Sequence, residues 1–117
     1  MFAAHHRLAN LCAIVDANGQ QALGYTRDVL ELEPLAAKWE SFGWEVANVD
    51  GHDAAAICEA LPLLSRNYPS DAPHALVART VFGKGVPFME KQVRWHYLGL
   101  TDAQLAEAMT HVDSAKA

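Results

Sequence analysis

Three short clusters in this 117-residue chain combine residue types that can do chemistry. The first is VDANGQQALG, where Asp16, Asn18, Gly19, Gln20 and Gly24 set short oxygen-bearing side chains among glycines that let the backbone turn sharply. An Asn oxygen and backbone carbonyls in such a turn suit a hard cation, magnesium or calcium, which takes oxygen ligands and often shares a phosphate. The same residues also make an ordinary Asn-Gly loop. The second cluster is Gly83-Lys84-Gly85, which holds a lysine beside backbone amides that can meet an anionic group. It lacks the spacing and the Ser or Thr of a P-loop, and a simple glycine turn is the alternative. The third is Trp95-His96-Tyr97, a histidine between aromatics that can titrate near neutrality or donate a hydrogen bond in a partly dry cleft. A packed aromatic cluster explains it equally. His52 can hydrogen-bond a ligand or satisfy a helix start beside Asp53. No GxSxG elbow, GxGxxG fingerprint or zinc spacing occurs, which weighs against an independent small hydrolase or oxidoreductase.

The elements that must position these clusters alternate between strand and helix. Leu11 to Val15 is a short apolar run and reads as a buried strand. Glu33 to Phe42 places Leu35, Ala36, Trp39 and Phe42 at helical spacing, with Pro34 at the start and Gly43 as a stop. Trp44 to Val49 alternates as a second strand, and Asp53 can cap a helix over Ala54 to Ser65 whose last turns Pro62 should kink or shorten. After the turn-rich NYPSDAPH segment, Ala75 to Phe82 has the β-branched content of a third strand. Thr101 and Gln104 form a capping box for a terminal helix. The order predicts an α/β fold, three-layered, with a mostly parallel sheet and flanking helices. Two connections, Ala17 to Leu32 and Gly83 to Leu100, are much longer than such a fold needs. With Asp50-Gly51-His52 they leave the carboxyl ends of strands, where ligands of parallel sheets gather, so the three segments are expected to converge.

Composition sets the limits. Half the residues (51%) are hydrophobic, which argues against intrinsic disorder, and no apolar run approaches the roughly 20 residues of a membrane span. Nine Lys and Arg against fourteen Asp and Glu give a net charge of -5 with no basic stripe, so neither nucleic acid nor membrane is an expected partner. Cys12 and Cys58 lie in apolar stretches without ligand spacing and read as buried, reduced thiols of a cytoplasmic protein. No repeat or linker divides the chain, so 1–117 is expected to form a single domain.

Taken together, AAHHRLANLCAIVDANGQQALG, EPLAAKWESFGWEVANVDGHD and ALVARTVFGKGVPFMEKQVRWHYLGLTDAQL resemble, in order, the thiamine diphosphate-binding half of the transketolase family, the half that some members carry as a separate N-terminal subunit. The resemblance implies a magnesium ion held by the side chain of Asn18 and the carbonyl of Gln20. It implies thiamine diphosphate bound through Asn18, Gly19, Gln20, Lys84, Gly85 and His96, with His96 beside cofactor and substrate as the catalytic residue. It also implies transfer of a two-carbon ketol unit from a ketose phosphate to an aldose phosphate.

The motif to which Asn18 belongs opens in relatives with Gly-Asp-Gly, and Met1 begins after the point where that would lie. The chain is therefore expected to be the C-terminal part of such a domain, truncated at its N-terminus. A homodimer, or a complementary transketolase subunit, would have to complete the site. The alternative is a stand-alone homo-oligomeric binding protein for a sugar-derived or carbonyl small molecule, including a signal molecule, without transketolase activity.

Overall fold

A computed structural model describes residues 1–65 and 69–114, so that Asn67 and Tyr68 of the NYPSDAPH turn lie outside the described residues. The chain folds as two compact units, one from Met1–Ala17 and Leu32–Thr80, the other from Asn18–Glu31 and Val81–Ala117.

In the first unit a short helix α1 (Phe2–His5) precedes strand β1 (Cys12–Ala17). The second unit then takes up β2 (Gln20–Gln21), β3 (Gly24–Tyr25) and the one-turn helix α2 (Thr26–Val29). Back in the first unit come α3 (Leu35–Ser41), β4 (Glu45–Asp50), α4 (Ala54–Ala60), a 3-10 turn at Leu61–Leu64, and β5 (His74–Arg79). The second unit closes with a 3-10 turn at Val93–His96 and helix α5 (Asp102–Ser114).

The fold is mixed α/β with a parallel sheet flanked by helices. Its strand order is β1-β5-β4, so the last strand in sequence lies in the middle. Cys12 to Ala17 of β1 and Glu45 to Asp50 of β4 both pair with His74 to Arg79 in matching register. Strand β5 is bonded on both sides and its first four residues are buried, with Ala75, Leu76 and Val77 at 3% exposure or less. The outer strands are half-buried. The expectation of a buried strand at Leu11 to Val15 is thus corrected: β1 is an edge, Leu11 is exposed and Ile14 is 67% exposed.

Local chemistry explains the helix limits. Pro34 stands at the N-cap of α3, and Gly43, at φ +84°, ends the turn that follows it. Trp39 and Trp44 meet edge to face at 4.6 Å and tie α3 to the start of β4. Phe42, assigned by its spacing to the packed face, is half exposed. The Asp53 carboxylate accepts from the amides of Ala55 and Ala56 and caps α4. That helix gives way to a 3-10 turn one residue before Pro62, as a residue without an N–H requires. Gln104 accepts from the amide of Thr101 at 3.0 Å while the Thr101 hydroxyl oxygen accepts from the amide of Gln104 at 3.3 Å, the reciprocal capping box of α5. Both cysteines are free, but neither is buried: Cys12 is half-buried with its thiol donating to the Leu64 carbonyl at 3.3 Å, and Cys58 is exposed. No described helix is long and apolar enough to cross a membrane.

Candidate functional site

The six residues that the family resemblance implies as binding or catalytic, Asn18, Gly19, Gln20, Lys84, Gly85 and His96, fall in the second unit, while Asp16 and His52 fall in the first. Two of the three segments expected to converge therefore belong to one compact body, while Asp50-Gly51-His52 belongs to the first unit. There the amide of His52 donates to the Asp50 carboxylate at 2.9 Å. Gly51 packs so closely that a Cβ would lie 2.5 Å from Thr80 Cγ2.

The Asn18 turn is built by its own side chain. Oδ1 accepts from the amide of Gln20 at 2.9 Å, and Gly19 takes φ +74°, the left-handed conformation that glycine adopts at little cost. Gln20 and Gln21 then pair antiparallel with Tyr25 and Gly24, and the amide of Thr26 closes the hairpin on the Gly19 carbonyl at 2.9 Å. Gln20 is 7% exposed, and its side-chain Nε2 and Oε1 are buried with no hydrogen-bond partner among the described residues.

The Lys84 segment is a closed loop whose ends meet where the amide of Lys91 donates to the Phe82 carbonyl at 3.0 Å. Gly83 sits at φ +71° with Met89 backbone atoms 2.8 Å from where a Cβ would stand, so this position admits only glycine without movement. Glu90 accepts from the amide of Gly85 at 3.1 Å. Lys84 is exposed and makes no ion pair among the described residues. His96 stacks on Phe82 with ring centroids 4.7 Å apart and 30° between planes. It is exposed, and its stack on Phe82 is an aromatic contact of the kind the second reading of this cluster described.

Two tyrosine hydroxyls join the two segments, and one of them, Tyr25, lies outside the clusters read from the sequence. The Tyr25 hydroxyl donates to the Lys91 carbonyl at 2.9 Å, and the Tyr97 hydroxyl donates to the Ala22 carbonyl. The indole N–H of Trp95 donates to the Phe88 carbonyl at 3.0 Å. Tyrosines in glycine-rich loops were the available signal, but nothing local names a partner carbonyl more than 60 residues away.

The donor set fits a hard cation in kind. Asn18 Oδ1 and the Gln20 carbonyl are neutral oxygen ligands of the sort magnesium takes, two of about six such a site needs. Among the described residues no group of three or more His, Cys, Asp or Glu could hold a metal ion. The carboxylate nearest in sequence, Asp16, accepts a hydrogen bond from the Thr80 hydroxyl.

A parallel sheet whose strands β1 and β5 lead at their carboxyl ends to an Asn-Gly turn and a Gly-Lys-Gly loop defines the class as α/β with a parallel sheet. Residues 1–114 match the family model described as transketolase, thiamine diphosphate binding domain, and the chain belongs to that family. It is 39% identical over 114 residues to an uncharacterized transketolase family protein of Sinorhizobium fredii, covering 97% of this chain and 40% of that protein. It is 35% identical over 113 residues to the 6-deoxy-6-sulfo-D-fructose transketolase subunit of a Clostridium species, covering 97% and 40%. The crystal structure of transketolase from Campylobacter jejuni superposes with a TM-score of 0.80 at 27% identity, over 93% of this chain and 17% of that one. The chain thus spans about 40% of the length of these curated relatives.

Proposed function

We propose that this chain contributes the Asn18 turn and the His96 segment to a thiamine diphosphate site that a second chain completes, and that the completed assembly transfers a two-carbon ketol unit from a ketose phosphate to an aldose phosphate in the cytoplasm. On this reading residues 1–117 act as the C-terminal part of a transketolase-like cofactor-binding domain. The second chain is another copy or a complementary subunit. The observation that carries the proposal is the grouping of Asn18, Lys84 and His96 in one compact unit of a family member.

Asn18 Oδ1 and the Gln20 carbonyl would hold Mg2+, which in turn holds the diphosphate. Gly19 lets the chain turn beneath it, and Lys84 with the Gly85 segment adds a cation to the phosphate side. When bound, thiamine diphosphate supplies the carbon nucleophile of ketol transfer, and the protein's part is to bind and orient. Phe82 fixes the plane of the His96 ring, which leaves its nitrogens to hold or move a proton on the substrate. Two neutral ligands bind a dication weakly against water, so a carboxylate from outside residues 1–117 is needed for tight binding. Exposure of Leu23, Leu30, Leu98, Leu105 and Met109, at 50 to 80%, supports a partner chain that covers them.

Isothermal titration with thiamine diphosphate and Mg2+ tests this. The expected result is weak binding by the chain alone and tight binding in the presence of a complementary transketolase subunit. No binding in either case overturns it. Asn18→Ala should abolish the metal-dependent part of the affinity, and an unchanged affinity refutes the role given to Asn18.

A further inference from the structure

We propose that the side-chain amide of Gln20, and not only its main-chain carbonyl, recognises the ligand, and that it takes an α-hydroxycarbonyl group. The class of ligand rests on the transketolase reading; the existence of an amide in need of a partner does not. The residue is 7% exposed, and both Nε2 and Oε1 are buried without a hydrogen-bond partner among the described residues. Its surroundings in the turn are otherwise satisfied: the amide of Gln20 donates to Asn18 Oδ1 at 2.9 Å, the amide of Thr26 donates to the Gly19 carbonyl at 2.9 Å, and Gln20 pairs with Tyr25 across the hairpin. A buried amide left unmet destabilises a fold, and a leucine of similar volume would carry no such penalty.

The chemistry of the amide narrows what it can receive. An anion would meet Nε2 and be repelled by Oε1, while a cation would meet Oε1 and be repelled by Nε2. A neutral group with an acceptor and a donor side by side satisfies both atoms at once, and a carbonyl next to a hydroxyl is the smallest such group in a ketol. Access is physically reasonable because the hairpin that holds Gln20 has only two ladder pairs, Gln20 with Tyr25 and Gln21 with Gly24. So short a ladder yields readily to an incoming group.

The experiment follows the Gln20 side-chain NH2 resonance of the 15N-labelled full chain, without thiamine diphosphate or Mg2+. Dihydroxyacetone, with hydroxyls beside its carbonyl, is titrated against acetone, which offers the carbonyl alone. Dihydroxyacetone should move the resonance saturably, and acetone should act at least about tenfold more weakly, since a site that pairs a hydroxyl rejects the analogue lacking it. Gln20→Leu should raise the melting temperature and remove the accompanying shifts at the amides of Asn18 and Tyr25. Gln20→Met serves if the leucine variant does not fold. An unmoved NH2 resonance, an equal response to acetone, or a lowered melting temperature in both variants overturns the proposal, the last because the amide is then satisfied within the fold. Ketol binding here together with a failed thiamine diphosphate titration would overturn the cofactor reading alone.

Discussion

The two units of the chain are held together by different kinds of bond. In the first, β5 pairs with β1 and β4 over six residues on each side, so repeated backbone hydrogen bonds and the buried stretch Ala75 to Val77 define it. In the second, regular pairing among the described residues amounts to a two-residue hairpin, the single turns at Thr26–Val29 and Val93–His96, and helix α5. Its long loops are tied instead by single side chains: Tyr25 and Tyr97 each donate to one distant carbonyl, and Trp95 donates to Phe88 within its own loop. A ladder shares its load over many similar bonds, whereas a loop tied by a few specific bonds fails when one is removed. The difference also fits the division of labour proposed above, since a loop unit can adjust to a ligand and a sheet cannot.

Substitutions that load one unit and not the other test this contrast. Gly83→Ala should have the largest effect. A Cβ there meets Met89 backbone atoms at 2.8 Å in a left-handed backbone conformation, and a loss of about 3 kcal/mol is expected. Hydrogen exchange should show faster exchange at the amides of Thr26 and Lys91 while Leu76 stays protected; equal loosening of both would dissolve the distinction. Val77→Ala should do the reverse, lowering the protection of β1 and β4 by about 2 kcal/mol with Lys91 unchanged.

Tyr97→Phe should cost about 1 kcal/mol in the second unit alone, the net worth of one hydrogen bond. The smallest effect lies in the first unit, where the Arg79 guanidinium beside Glu33, with help from the amide of Leu35, holds the Glu33 carboxyl down from its ordinary 4.5 to about 2. A depressed carboxylate stabilises the fold above its unfolded pKa, and the contribution fades as pH falls from about 4.5 towards 2. Glu33→Gln should therefore lower the stability read from thermal unfolding at pH 7 by no more than about 1 kcal/mol for so exposed a pair, with the difference vanishing towards pH 2.

Where the controlling interaction is local, the sequence reveals it. The Asp53 cap, the Thr101 and Gln104 box, the Gly43 stop and the break before Pro62 each depend on residues within four positions of one another. The Asn18 turn is of the same kind, because its Oδ1 bonds the amide two residues on. The three strands were legible from composition, but not that β5 would lie between the other two and bury most. Ile14 illustrates the consequence: its residue type suits a buried strand, and only the place of β1 at the edge leaves it exposed. His96 could be found as a candidate, yet its exposure and its stack on Phe82 depend on a loop closed by Lys91 and Phe82.

The sequence by itself determined the alternation of strand and helix, the caps, and a family resemblance that places Asn18 after the first expected strand and His96 after the third, because each depends on short-range hydrogen bonding or on residue order. Only the tertiary structure decided which strand is central, that the chain divides into a sheet unit and a loop unit, and that the amide of Gln20 is buried without a partner among the described residues. Those outcomes depend on contacts between segments tens of residues apart, where packing competes among many possible partners and no local pattern selects one.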